Sequence, residues 1–352
     1  MQDISHTDRI LVTLWNLIFL LLPGLILHAC DNLEDDTVAH IYTGINRMEQ
    51  AILDEVDAVL TDYLPHYRYI SLGIILDGEP SLIRCYGENR LGKSDPYASV
   101  SKPVTSMITM QLVEEGLIRS LDDPVGDYCS KYKGVLPDAY REVPITFTHL
   151  LSHRSGIPHH EKIWKDGKLD LRFEPGTEML YSTRGYGVLG DIISQIGGRS
   201  FNRLVKDYIG SPIGSSSISC PLPFFEAPGG LIQSTITDMA LFASGILNAA
   251  FLDDSMLYDH AWIPMGSDRS GIMGLGWYLA NPDTEELAAY HAGSNGKPRA
   301  FIVLKPLKGM GLVMMSRGEK ADEPQLLPEI ARSILPLLEG LEAEDVYFVK
   351  PP

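Results

Sequence analysis

Basic residues are scarce in this 352-residue chain, which has 29 Lys and Arg against 46 Asp and Glu and a formal net charge of -17. So acidic a protein repels the phosphate backbone of nucleic acids, and we expect no DNA or RNA partner. The chain also lacks internal repeats and low-complexity segments. With 45% hydrophobic and 21% charged residues, it can bury a sizeable core and is neither disordered nor fibrous.

Cysteine is rare, and the only four are Cys30, Cys85, Cys129 and Cys220. Their spacing matches no zinc pattern, and if Cys30 is lipidated the other three cannot form a complete set of disulfides. We interpret those three as small buried hydrophobic residues.

Sequence patterns for metals and phosphates are also missing. His149, His153, His159 and His160 form a cluster, but no His-Glu-x-x-His pattern accompanies it. No Gly-Lys-Ser/Thr sequence follows the glycines at 229–230 and 271–276. We expect no metal ion and no other cofactor.

Long hydrophobic runs are limited to one, ILVTLWNLIFLLLPGLILHA at 10–29, which has the properties of a signal-peptide core or of a single spanning helix. It ends in Leu27-His28-Ala29-Cys30, which resembles the bacterial lipobox, whose cysteine is lipidated. A lipid anchor on Cys30, an uncleaved helical anchor and an ordinary secretory signal all stay open. We predict a membrane-anchored protein of the cell envelope, facing the periplasm or the exterior as a lipoprotein.

The chain divides into four segments by composition. Residues 1–30 form the anchor segment, and 31–64 read as an acidic spacer that runs into an amphipathic helix with apolar positions from Ile45 to Leu60. Residues 65–340 form the main domain, and 341–352 are a C-terminal tail.

Two kinds of pattern alternate in the main domain. Strands are predicted at 69–76 and 81–86, around an Asp-Gly-Glu-Pro turn, and again at 276–279, 299–305 and 311–316. Helical patterns occupy most of 99–257, and an amphipathic helix at about 323–338 closes the domain. This order predicts an α+β fold, with one antiparallel sheet formed from N- and C-terminal strands and an inserted, mostly helical region. A site would then lie in the cleft between the two parts.

A Ser-x-x-Lys sequence, Ser99 to Lys102, stands at the start of one predicted helix. Residues three apart share a helix face, so the Lys102 amine can reach the Ser99 hydroxyl. Burial would lower the pKa of Lys102 and let it accept a proton near neutral pH, which is how a serine becomes a nucleophile. The helix N-terminus would direct backbone N–H groups at an oxyanion.

The surrounding sequence resembles the serine β-lactamase and penicillin-binding-protein superfamily, particularly the class C β-lactamase branch with its D,D-peptidases and esterases. The resemblance covers roughly 69–316. Its motifs stand in the expected order as YASVSKPVTSMITMQLVEEGLIRSLDDPV, ITFTHLLSHRSGIP, YSTRGYGVLGDII, APGGLIQSTITDMALFASGIL, GLGWYL and HAGSNG.

The resemblance implies roles for residues of the second motif, Tyr-x-Asn, which aligns on Tyr181-Ser182-Thr183. Tyr181 would act as general base and then as acid, with its phenol pKa lowered by Lys102. Thr183 departs from the pattern, because one hydroxyl replaces an amide with two donors and a carbonyl. Its contacts with substrate are therefore in doubt.

The third motif, Lys-Thr-Gly in most β-lactamases, becomes His291-Ala292-Gly293. The resemblance implies that His291 orients substrate and that Gly293 lets it approach the strand edge. The backbone N–H groups of Ser99 and Ser294 would form the oxyanion hole. Because histidine is only partly charged at neutral pH, a β-lactam carboxylate should be bound weakly.

Together these patterns predict a serine hydrolase that acts through an acyl-enzyme on ester or amide substrates, with D-amino-acid peptides among the candidates, and that needs no cofactor. A β-lactamase or D,D-carboxypeptidase that acts on cell-wall peptides is one alternative. A catalytically silent binding lipoprotein of the same fold is another. The acyl group and the oligomeric state stay open.

Overall fold

The computed structural model describes residues 41–88, 91–318, 320 and 325–339. The predicted anchor at 1–30, the lipidation site Cys30, the first part of the predicted spacer and the predicted tail at 341–352 lie outside these residues. No helix within the described ranges is both long enough and apolar enough to cross a membrane.

The strands, numbered in chain order, are β1 (Ile41–Asn46), β2 (Tyr67–Leu76), β3 (Glu79–Gly87), β4 (Asp95–Pro96), β5 (Trp164–Lys165), β6 (Lys168–Leu169), β7 (Gln233–Ser234), β8 (Gly266–Asp268), β9 (Gly271–Met273), β10 (Tyr278–Ala280), β11 (Ala288–Ser294), β12 (Pro298–Lys305) and β13 (Met310–Gly318). Within the described residues, nine of them form one antiparallel sheet in the order β1-β3-β2-β13-β12-β11-β10-β9-β8. The short pairs β4–β7 and β5–β6 lie outside that sheet.

The helices, numbered likewise, are α1 (Gln50–Tyr63), α2 (Ser101–Glu114), α3 (Phe147–Leu151), α4 (Thr183–Ile196), α5 (Phe201–Leu204), α6 (Ala227–Gly230), α7 (Ile236–Leu247), α8 (Asp254–Met256) and α9 (Leu327–Glu339). Strands from both ends of the chain therefore form one sheet, and a mostly helical region is inserted between β3 and β8. The predicted α+β fold is confirmed.

The sheet is covered on both faces because its central strands are apolar on both sides. On one face α1 and α9 pack against residues such as Leu72 and Met314. On the other face α2, α4 and α7 form the larger core with residues such as Ile83 and Val313. The buried cysteines Cys85, Cys129 and Cys220 are free thiols in these layers, as predicted.

The segment before β2 differs from its predicted form. The pattern predicts a spacer and a helix that includes Ile45, whereas the structure forms strand β1 there and begins α1 at Gln50. Ile41 pairs with Tyr86 of β3, so β1 supplies hydrogen-bond partners to what would be an open sheet edge. Alternating side chains cannot be told from helical spacing over so few residues.

The closing helix is confirmed with a later start than predicted. It begins at Leu327, and Pro328 stands in its first turn, where a missing N–H costs no intrahelical hydrogen bond. Pro336 lies inside the helix without ending it. Buried residues Ile330 and Ile334 attach the helix to the sheet.

Candidate active site

The candidate nucleophile, Ser99, lies on a turn that leads directly into α2. The turn is one 3-10 turn, Ala98–Val100, and it is anchored by the Tyr97 N–H, which donates to the Ile232 carbonyl at 2.7 Å. Ala98 has a φ of 46°, a left-handed conformation that is unfavourable for a residue with a Cβ. The strained turn brings Ser99, half-buried, to the edge of a cleft.

Lys102 lies completely buried behind Ser99. Its Nζ is 3.3 Å from Ser99 Oγ, 3.3 Å from Thr183 Oγ1 and 2.8 Å from the carbonyl oxygen of Gly229. Burial lowers the pKa of Lys102 from 10.5 to about 7, because the charged amine loses its hydration. This direction is the predicted one, and at neutral pH a substantial fraction of the amine is unprotonated.

Tyr181 converges on the same two groups. Lys102 Nζ is 4.6 Å from the centre of the Tyr181 ring. Burial raises the pKa of the Tyr181 phenol, and a hydrogen bond with Ser99 opposes this increase only in part. The predicted lowering by Lys102 is therefore wrong in direction, because a buried phenolate loses its hydration and this cost is the largest influence on the pKa of Tyr181.

Three oxygen atoms surround the Lys102 amine and determine which hydrogen bonds it can form. An unprotonated amine has two N–H donors and one lone pair. It can donate to Thr183 and to the Gly229 carbonyl, which has only acceptor capacity, while the lone pair receives the Ser99 proton. This arrangement makes Lys102 a candidate general base for Ser99.

Thr183 fills the position where the resembled motif has asparagine. It is the first residue of α4, and its hydroxyl lies within hydrogen-bonding distance of Lys102. In this structure Thr183 therefore contacts the proton-transfer group.

His291 stands on β11 and is 1% exposed. Its Nδ1 is 2.8 Å from the Ala292 carbonyl, which can only accept, so the proton is on Nδ1. Burial lowers the pKa of His291 to about 3, and the charge of Lys102 acts in the same direction. The partial charge expected at neutral pH is therefore absent, and His291 is a neutral ring 6.3 Å from that of Tyr181.

Gly293 is the point where β11 meets the nucleophile turn. A Cβ added here would lie 2.3 Å from the Tyr97 carbonyl oxygen and 2.8 Å from the backbone nitrogen of Ser99. Only glycine allows this approach, which brings the strand edge beside the Ser99 amide. The next residue, Ser294, lines the same cleft.

We expect Gly293→Ala to lower kcat/KM for an ester substrate by about 100-fold, because a methyl group must push β11 away from the Ser99 turn and small displacements in an active site are costly. Steady-state hydrolysis of p-nitrophenyl acetate measures this. Gly230→Ala is the matched control, since its added Cβ meets nothing within 4 Å. Equal rates for the two variants would contradict the close approach.

A cleft of about 480 Å³ opens in front of Ser99, and its lining consists of Ser99, His159, Leu180, Tyr181, Tyr278, His291, Ala292, Gly293, Ser294 and Gln325. All ten side chains are uncharged at neutral pH, since burial also lowers the pKa of His159 to about 4. The described lining thus offers no fixed cation for a carboxylate.

Five lining residues were not predicted as site residues: His159, Leu180, Tyr278, Ala292 and Gln325. Tyr278 lies in GLGWYL, a motif of the resembled family, and His159 belongs to the histidine cluster, but nothing in the pattern assigns either to the cleft. Ala292 is the middle residue of the third motif. Leu180 precedes Tyr181. Gln325 carries no sequence signal, yet its side-chain amide donates to the Gly293 carbonyl at 2.9 Å and so contacts the same strand.

The histidine cluster serves hydrogen bonding. His149 caps α3, where its Nδ1 accepts from the Thr146 N–H at 3.3 Å. Among the described residues no group of three or more His, Cys, Asp or Glu side chains is placed to hold a metal ion.

Comparison with known proteins agrees with the fold. The sheet, the inserted helices and the Ser–Lys–Tyr arrangement define a protein of the serine β-lactamase and penicillin-binding-protein superfamily. A family model described as beta-lactamase matches residues 69–334, so the chain belongs to the beta-lactamase family.

Curated relatives include the D-alanyl-D-alanine-carboxypeptidase/endopeptidase AmpH of Escherichia coli K12, 23% identical, with 68% of this chain and 76% of the relative covered. Penicillin-binding protein 4 of Amycolatopsis lactamdurans is 24% identical, with 71% of this chain and 78% of the relative covered.

Solved structures share the fold. A penicillin-binding protein homologue from Pyrococcus abyssi has a TM-score of 0.71 at 21% identity and covers 85% of this chain and 79% of its own. A beta-lactamase/D-alanine carboxypeptidase from Yersinia pestis has a TM-score of 0.67 at 22% identity and covers 84% of this chain and 99% of its own.

Proposed function

We propose that this protein is a serine hydrolase that forms an acyl-enzyme on Ser99 with uncharged ester or amide substrates. The observation that carries the proposal is the buried Lys102 amine, which lies 3.3 Å from the Ser99 hydroxyl and has a pKa lowered to about 7. A nucleophile with a base in hydrogen-bonding distance is the arrangement that serine acylation requires.

In the first step Ser99 Oγ attacks the substrate carbonyl, and its proton passes to the unprotonated Lys102 amine. The carbonyl oxygen becomes an oxyanion, which the backbone N–H groups of Ser99 and Ser294 would stabilise. When the intermediate collapses, the bond to the leaving group breaks. Tyr181 donates its phenol proton to the leaving group and takes the proton that Lys102 holds.

Water then attacks the acyl-enzyme by the reverse proton route and releases the acid, which restores Ser99. The resemblance assigns the base to Tyr181, whereas the raised pKa of its phenol favours Lys102 as base and Tyr181 as proton donor. Neutral His291, Gly293 and the half-buried Thr183 would shape the cleft around the substrate.

The uncharged cleft favours a neutral group beside the scissile bond. A free carboxylate placed there would lose hydration and find no cation among the described lining residues. This argues against the substrates of β-lactamases and carboxypeptidases, both of which carry such a carboxylate.

A second candidate is a D,D-carboxypeptidase or endopeptidase that acts on cell-wall peptides. It is supported by the activities for which the relatives from Escherichia coli and Yersinia pestis are named. A catalytically silent lipoprotein is a third, supported by Thr183 in place of asparagine. For all three we propose a location at the cell envelope through the N-terminal segment and Cys30.

A matched pair of peptides tests the proposal. We expect diacetyl-L-Lys-D-Ala-D-Ala amide to be cleaved at least about 10-fold faster than the same peptide with a free C-terminal carboxylate, because the carboxylate would be desolvated without a partner. Liquid chromatography measures both rates, and intact-protein mass spectrometry detects the acyl-enzyme. Ser99→Ala, which lacks the proposed nucleophile, is the inactive control.

The outcomes are distinct. Faster cleavage of the free carboxylate would establish the carboxypeptidase and contradict the neutral cleft. Hydrolysis of p-nitrophenyl acetate without cleavage of either peptide would indicate an esterase. No adduct and no turnover with any substrate would favour the silent lipoprotein.

A further inference from the structure

Two members of the histidine cluster pack directly on the Tyr181 ring. The centre of the His153 ring lies 4.3 Å from that of Tyr181, with the planes tilted by 39°. The His159 ring meets Tyr181 edge to face, at 5.3 Å and 79°. The phenol is therefore held between two imidazoles that come from one loop.

His153 also binds the backbone on both sides of Tyr181. Its carbonyl oxygen accepts from the Leu180 N–H at 2.9 Å, and its Nδ1 accepts from the Ser182 N–H at 3.1 Å. Three consecutive residues, 180 to 182, thus each contact this one histidine. His153 is 1% exposed and has a φ of 61°, a left-handed conformation that is unfavourable for a non-glycine residue.

His159 extends the same contact pattern by one residue. Its Nδ1 accepts from the Thr183 N–H at 3.1 Å. The hydroxyl of Thr183 in turn lies 3.3 Å from Lys102 Nζ. His159 therefore holds the residue that links the Tyr181 segment to the catalytic amine.

Both rings are in one defined tautomer. Because each Nδ1 accepts from a backbone N–H, each ring is neutral and carries its proton on Nε2. Burial lowers the pKa of both rings, that of His159 to about 4, so this state persists at neutral pH.

We propose that His153 and His159 form a histidine clamp, two positioning residues that fix the Tyr181–Thr183 segment so that the phenol faces Ser99 and Lys102. The role rests on the proposed function, since it concerns the group that would transfer the proton. It explains why the loop carries a buried and a half-buried histidine without a metal ligand set in the described residues. It also explains a left-handed histidine beside an active site.

The test compares four variants by their inactivation with a fluorophosphonate, which separates kinact from KI. His159→Phe keeps an aromatic ring and removes the acceptor of the Thr183 N–H. We expect kinact to fall by about 10- to 100-fold with KI within about twofold of the parent, because the phenol is displaced while the cleft stays open.

The control is His149→Ala, which removes a histidine of the same cluster that lies in the first turn of α3 and caps that helix. It should lower Tm, because a helix cap is lost, and leave kinact within about twofold of the parent. A kinact for His159→Phe equal to that of the control, in a parent that reacts, would overturn the clamp.

Rescue tests the hydrogen bond of His153. Asparagine tolerates the left-handed conformation and offers an acceptor for the Ser182 N–H, whereas alanine offers none. His153→Asn should therefore retain at least about fivefold more kinact than His153→Ala. Equal values would contradict the hydrogen bond, and if His153→Ala does not fold, His159→Phe decides the question.

A measurement that does not depend on catalysis tests the histidine clamp independently of the proposed function. In protein labelled with 3-fluorotyrosine, the 19F resonance missing from Tyr181→Phe belongs to Tyr181. We expect it to shift or broaden in His159→Phe and to stay unchanged in His149→Ala. If the parent is not inactivated at all, the proposed function fails, and an unmoved resonance would then overturn the clamp as well.

Discussion

Replacing Ser99 by alanine is expected to lower kcat/KM for p-nitrophenyl acetate by at least about 10⁴-fold, because loss of a serine nucleophile removes the covalent route altogether. The half-buried Ser99 hydroxyl is the group that Lys102 Nζ approaches at 3.3 Å, and it is the nucleophile of the proposed reaction. The variant should also give no acyl adduct in the intact mass.

The control for this variant is Ser120→Ala, which removes the hydroxyl of an exposed serine in the loop after α2. It should keep the parental rate. An ester hydrolysis rate for Ser99→Ala that equals the parent would show that the activity does not pass through this serine. The proposed proton transfers would then be wrong, because they begin with attack by Ser99.

Replacing Lys102 by methionine is expected to lower kcat/KM by about 10³- to 10⁴-fold and to remove one limb of its pH profile. In the parent, kcat/KM should rise with pH through about 7, since the amine accepts a proton only when it is unprotonated and its pKa is lowered to about 7. The residual rate of the variant should lack that rise. A retained limb near pH 7 would assign the base to another group.

The same variant should be more stable than the parent at neutral pH. Lys102 titrates near 7 in the folded protein and near 10.5 in the unfolded chain, so the unfolded state binds more protons between these values and stability rises with pH there. Below about pH 7 the folded protein bears the full free-energy cost of keeping a protonated amine buried, and this penalty disappears as pH rises through 10.5. It amounts to about 5 kcal/mol from the pKa difference.

Methionine removes this penalty but leaves the Gly229 carbonyl without its donor, which costs about 1–3 kcal/mol. The net expectation is a gain of about 2–4 kcal/mol at pH 7 that shrinks toward pH 10, measured by urea unfolding at both pH values. Lys131→Met is the control, because that lysine is half-exposed and its contacts are a surface ion pair with Asp191 and ring contacts with Tyr132 and Phe225. Lower stability of Lys102→Met at pH 7 would mean that the buried amine carries no ionisation penalty.

A large share of the fold follows from local patterns. The hairpin of β2 and β3, the late strands and the helix after Ser99 are all predicted because apolar periodicity and turn residues act over a few positions. Strand β1 is not, since Ile41 to Asn46 becomes a strand only through the neighbouring edge of β3. The position of Gln325 in the cleft cannot be predicted for the same reason, because its contact with Gly293 joins positions far apart in the chain.

Some protonation states can likewise be predicted from the sequence, and others cannot. The lowered pKa of Lys102 is predictable, because a lysine one helical turn behind a buried serine must lose hydration. The raised pKa of Tyr181 and the neutrality of His291 are not, because each depends on how completely the folded chain excludes water from that ring. A motif can name a neighbouring residue, but it does not show how far the folded chain removes water from the titrating ring.

By itself the amino-acid sequence determined the order of sheet and helical segments, the family resemblance and the pairing of Ser99 with Lys102, because these depend on residue types at short spacings. Tertiary structure alone decided that the pKa of Tyr181 is raised, that the described cleft lining is uncharged and that two histidines pack on the Tyr181 ring. Those properties arise from burial and from contacts between distant segments, and neither is encoded in any single stretch of the chain.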